Sequence, residues 1–74
     1  MATLNWTPQH EYLQAITHRH YYRIDRIGTY DGILRVWRYD NRAPNGRTLI
    51  YRRSHPSILL AQESAEIIAE HAAK

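Results

Sequence analysis

Two dipeptides, Asp31-Gly32 and Asn45-Gly46, punctuate the middle of this chain. Two-residue hairpin turns favour this pairing, because both central residues of a type I′ turn need a positive φ, which Gly, Asn and Asp tolerate best. Around them lie three runs rich in Tyr, Ile, Val, Trp and Leu, at about 19–28, 33–40 and 47–53, of strand length and composition. Pro44 has no amide donor and fits a loop or strand end beside Asn45. The pattern predicts a three-stranded antiparallel meander.

The last third changes period. At about 100° per residue, Ile58, Leu60, Ala61, Ala65, Ile68, Ala69 and Ala72 share one broad face, with Glu63, Glu66 and Glu70 opposite. Pro56 suits a first helical turn, and Ser54 or Ser57 can cap free amides. The spacing predicts a helix over 58–74, apolar side on the sheet and acidic side in water. Near the start, Thr7-Pro8 reads as a cap and first helical residue, and Tyr12, Leu13 and Ile16 recur at spacings of three and four. A short N-terminal helix fits there, and an irregular arm is the alternative. The expected class is α+β in the order α-β-β-β-α, as a single small domain over 1–74.

Seventy-four residues leave a thin stability margin, since a domain this small buries only about 60% of its unfolded surface. The chain has no cysteine, which excludes disulfides, thiolate metal sites and cysteine nucleophiles. A homodimer or docking onto a larger partner is then the way to bury more area. The longest apolar run, Ile58 to Ala61, is far shorter than the ~20 residues of a bilayer span. With no signal-peptide pattern at the start, the expectation is a cytoplasmic protein without membrane contact.

Alternation along strands divides each run into two sides. Leu34 and Val36 share one side with Arg38, and Ile33, Arg35, Trp37 and Tyr39 share the other. Tyr22 and Ile24 oppose Tyr21, Arg23 and Asp25. The third run is ambiguous, because Leu49, Tyr51 and Arg53 alternate with Thr48, Ile50 and Arg52. One helix covers one side, so the other is expected to carry Tyr21, Arg23, Arg35, Trp37, Tyr39, Tyr51 and Arg53. Charge is segregated too: His18 to His55 holds nine arginines and three aspartates, whereas the rest holds one lysine and four glutamates. Arginine stacks on rings and grips carboxylate or phosphate with a fork, and Arg with Trp and Tyr is the mixture enriched at interface hot spots. The bland alternative is amphipathic cover, with arginines paired to Asp25, Asp31 and Asp40.

Little in the chain carries catalytic or metal chemistry. His18 and His20 lie two apart and would share a strand face, but zinc sites usually take three protein ligands. Ser54, His55 and Ser57 are close in sequence and read as a helix cap. Gly28, Gly32 and Gly46 make no phosphate loop. The reading is no enzyme, no cofactor and no metal.

Three resemblances bear on function. The α-β-β-β-α order is similar to the double-stranded-RNA-binding domain, although Ala61-Gln62-Glu63-Ser64-Ala65 lacks the lysines with which that family grips phosphates. Trp37-Arg38-Tyr39-Asp40, Asn45-Gly46-Arg47 and Gln62-Glu63-Ser64-Ala65 resemble phage integrase arm-site DNA-binding domains. That resemblance implies DNA contacts by Arg35, Trp37, Arg47 and Arg53. Size and architecture also resemble small stand-alone phage inhibitors of the anti-CRISPR type. The expected function is steric blockade of a nucleic-acid-handling complex, a larger protein or nucleoprotein, with a DNA-binding module as the alternative. The expected contact residues are Arg23, Arg35, Trp37, Arg38, Tyr39, Arg47, Tyr51 and Arg53.

Overall fold

A computed structural model describes residues 4–72. Its five strands are β1 (Thr7–Pro8), β2 (Tyr12–Ile16), β3 (His20–Arg26), β4 (Gly32–Tyr39) and β5 (Arg47–His55), followed by one helix, α1 (Ile58–Ala72). The strands form one antiparallel sheet in sequential order. The α+β class, the meander (β3-β4-β5) and the C-terminal helix are therefore present, while positions 73–74 of the expected helix lie outside the described residues.

The N-terminal helix is not. Tyr12, Leu13 and Ile16 lie on β2, paired with β3 from Tyr12–Asp25 to Ile16–Tyr21. In five residues, helical spacing and strand alternation fit equally well. Pairing decides between them, because β3 would otherwise leave backbone groups unmatched beside the core. Pro8 ends the short edge strand β1, where a missing amide is tolerated.

The core lies between α1 and one side of the sheet. Tyr22, Ile24, Leu34 and Val36 are its largest fully buried side chains, each contributing about 1.5–3 kcal/mol by leaving water. Ala61, Ala65 and Ala69 face them from the helix, and Leu4 and Ala15 complete the cluster. Ser57 caps the helix: its Oγ accepts the Leu60 N–H at 3.1 Å. Two features of the expected wheel change. Leu60 is 44% exposed, and Glu66 Oε1 accepts the Leu4 N–H at 2.9 Å, holding the N-terminal segment to the helix.

Neither turn dipeptide makes a two-residue hairpin. Residues 27–31 form a longer loop closed by the Ile27 N–H on the Asp31 carbonyl at 3.0 Å. Gly32 is the first residue of β4, and only Gly46 has positive φ among the described residues, at 76°. What requires glycine at 32 is space: a Cβ there would sit 2.7 Å from Ile58 Cδ1 and 2.9 Å from Ile24 Cγ2. The second loop is built on Asp40, whose carboxylate accepts the Arg42 N–H and the Thr48 hydroxyl. A turn from Ala43 to Gly46 follows, with Pro44 at its second position, where fixed φ suits it.

Candidate functional site

The sheet side away from α1 is a set of cross-strand rows, since directly paired residues share a face. One row runs Tyr12, Asp25, Ile33, Ser54; the next runs Gln14, Arg23, Arg35, Arg52. A third runs Ile16, Tyr21, Trp37, Leu49, and Tyr39 pairs with Arg47 beyond it. Four arginines thus share this face with one carboxylate, Asp25.

Asp25 organises two of them. It accepts Arg23 Nε at 2.9 and 3.0 Å and Arg35 Nη1 at 2.6 Å, and Arg23 Nη2 lies 2.8 Å away. The hydrogen bond to Asp25 holds the Arg23 pKa above its ordinary value. The Arg23 guanidinium also lies 3.9 Å from the centre of the Tyr12 ring. Arg52, directly opposite Arg35, has no ion-pair partner among the described residues.

Beside the arginine row, Tyr21 and Trp37 stack at 5.3 Å with 22° between their planes. The Arg47 guanidinium lies over both rings, 4.6 Å from the first centre and 4.9 Å from the second. Tyr21 is buried even on this open face, and its hydroxyl donates to Gln14 Oε1 at 3.2 Å. Ile16, Leu49 and Tyr39, by contrast, are well exposed around the stack.

Five of the expected contact residues, Arg23, Arg35, Trp37, Tyr39 and Arg47, come together here. Tyr51 and Arg53 do not: they pair with Val36 and Leu34 on the helix side, and Tyr51 packs against the core. The cause is a β-bulge. The register slips between Val36 and Trp37, so Tyr51 pairs with Val36 while Leu49 pairs with Trp37. Ile50 is the extra residue, and Leu49 and Tyr51 end on opposite sides despite their spacing of two. The slip also brings Arg52 onto the open face. Simple alternation along β5 contains no sign of it.

Arg38, as its alternation indicates, is on the helix side between His20 and Thr48, so it does not join the patch. His18 and His20 do not share a strand face: His18 lies in the β2–β3 turn, and His20 opens β3 and is buried. Burial lowers the His20 pKa below 6.5, and the nearby Arg38 and Arg19 charges lower it further. A cleft of about 560 Å³ opens elsewhere, between the β1–β2 turn and the helix start, with Glu11, Arg26 and Ile58 in its walls. No group of three or more metal-ligating side chains converges among the described residues. No helix among them is long and apolar enough to cross a membrane.

Comparison with protein-family models, curated proteins and solved structures finds no match to this chain.

Proposed function

We propose that this is a non-enzymatic binding protein that seats its open sheet face on an anionic surface of a larger nucleic-acid-handling assembly and blocks it sterically. The observation that carries the reading is the row Arg23–Arg35–Arg52, three cations in direct cross-strand register. Like charges directly opposite are unfavourable, and Asp25 reaches only two of the three. Arg52 has no ion-pair partner among the described residues, and local rules are broken chiefly at functional sites. An external carboxylate or phosphate would relieve the repulsion.

The other side of the molecule supports a partner of mixed charge. Glu63 and Glu70 stand on α1 beside exposed Leu59 and Ile67. A nucleoprotein assembly presents anionic backbone next to basic protein, and both surfaces of this chain find a complement there.

Direct DNA contact is the second reading, favoured by four arginines on one face. Two observations weigh against it. Five paired strands at ~4.8 Å spacing make a face wider than the ~12 Å major groove. The Tyr21 and Trp37 rings are stacked on each other and covered by Arg47, which leaves little ring surface for bases.

The test is capture from a bacterial lysate, with and without nuclease, using wild type and Arg35→Glu/Arg52→Glu. The expected result is a partner held by wild type, released by salt and lost from the folded double variant. Identical retention by both proteins would sink the reading. Tight binding of a labelled duplex near ~50 mM salt, weakening with a log–log slope near −0.9 per phosphate, would replace it with the DNA reading.

A further inference from the structure

We propose that the free edge of β5, over Tyr51–His55, accepts an extended acidic segment of a partner protein as a sixth strand. This goes beyond face docking, which needs no added strand.

The two edges of the sheet are unequal. At one end β1 is two residues long, whereas at the other β5 runs for nine, with no strand among the described residues paired outside it. A long edge strand offers a row of unpaired N–H and C=O groups and is a ready template for another strand. The bulge at Ile50 interrupts the ladder, and bulges terminate regular pairing. That leaves Tyr51–His55, the common length of a natural strand, bounded by Pro56.

Charge selects the occupant. β5 carries Arg47, Arg52 and Arg53 and no carboxylate. Two copies paired edge to edge would bring six arginines onto adjacent strands, which like-charge repulsion opposes. An acidic strand meets attraction instead. Arg52 and Arg53 are both exposed and point to opposite sides of the sheet. The matching segment therefore has two adjacent acidic residues, one for each side, among β-branched neighbours that continue the pleat.

The test uses a nine-residue peptide of Thr, Val and Ile with two adjacent central glutamates, N-acetylated and C-amidated. A second peptide has alternate backbone amides N-methylated, and a third has lysines for the glutamates. Binding to wild type is followed by amide exchange and chemical-shift mapping. The expected result is slowed exchange of the β5 amides that face away from β4, with the N-methylated peptide roughly tenfold weaker or worse. Arg53→Glu, on the helix side and outside the arginine row, should lose the glutamate peptide and gain the lysine one. Equal binding of the N-methylated peptide would overturn the proposal, because charge alone would then explain the contact. Shifts confined to Arg23 and Arg35 with β5 exchange unchanged would overturn it too, while leaving face docking standing. Arg23→Gln, on β3 and away from the β5 edge, makes the opposite separation, weakening lysate capture without weakening the peptide.

Discussion

Arg35 and Arg52 stand directly opposite each other on β4 and β5, and the carboxylate that neutralises the first is held one strand away on β3. Asp25 already accepts both Arg23 and Arg35. Arg52→Glu turns a repulsive cross-strand pair into an attractive one, worth about 0.2–1 kcal/mol. The variant should melt a few degrees higher than wild type while losing capture of the anionic partner. A lower melting temperature would mean that Arg52 supports the fold, and the functional argument from its position would fail.

Gly32 is held to its size by α1. Gly32→Ala forces Ile58 or Ile24 to move, since the new Cβ would sit under 3.0 Å from both side chains. Overpacking of this kind costs about 1–3 kcal/mol. Ile58→Val removes the nearest atom and should recover part of the loss in the double variant. Gly28→Ala is the control, because no atom lies within 4 Å of its Cβ position. Urea titration of the four proteins decides the matter; an unchanged midpoint for Gly32→Ala would contradict the close approach.

His20 gives the fold a pH dependence with a definite sign. Its folded pKa lies below 6.5, through burial first and the Arg38 and Arg19 charges after it. The unfolded chain therefore takes up the proton more readily than the native one. Its contribution is whole above about 6.5 and declines as pH falls from there through the folded value. Wild type should lose melting temperature across that window, and His20→Gln should lose less. Parallel pH profiles would show that His20 is not responsible.

Arg47 stabilises the open face by covering Tyr21 and Trp37. Arg47→Ala should cost about 0.5–1 kcal/mol, the scale of an exposed cation–π contact, and thermal melting measures it.

Removal of residues 1–16 tests whether the meander and helix suffice. That deletion takes away Leu4 and Ala15 from the core and uncovers Tyr22 and Ile24, each 1% exposed in the intact protein. The shortened chain should lack a cooperative thermal transition. A two-state melt close to wild type would show that β1 and β2 are dispensable.

The helix and the two sides of β4 are legible in the chain itself, whereas the turn dipeptides Asp31-Gly32 and Asn45-Gly46 mark where the chain reverses but not the loops that form there. The helix is legible from Ala61, Ala65 and Ala69, whose spacing of four puts them on one face. Its start is not, since Ser54 and Ser57 both fit a cap and the structure selects Ser57, leaving Pro56 ahead of the helix. The two sides of β4 follow from Leu34 and Val36 alternating with Arg35 and Trp37, because side chains on a pleated strand point in turn to either side. Tertiary structure alone decided the rest. Tyr12–Ile16 satisfies two periods at once, and only the waiting edge of β3 made it a strand. The bulge at Ile50 carried Arg52 to the open face and Tyr51 to the core, and Ile58, twenty-six positions along the chain, crowds the place where a side chain at Gly32 would go. Periodicity records how a residue relates to its chain neighbours. Pairing, register and close approach are settled between residues far apart in sequence, and so they appear only when the sheet and helix meet.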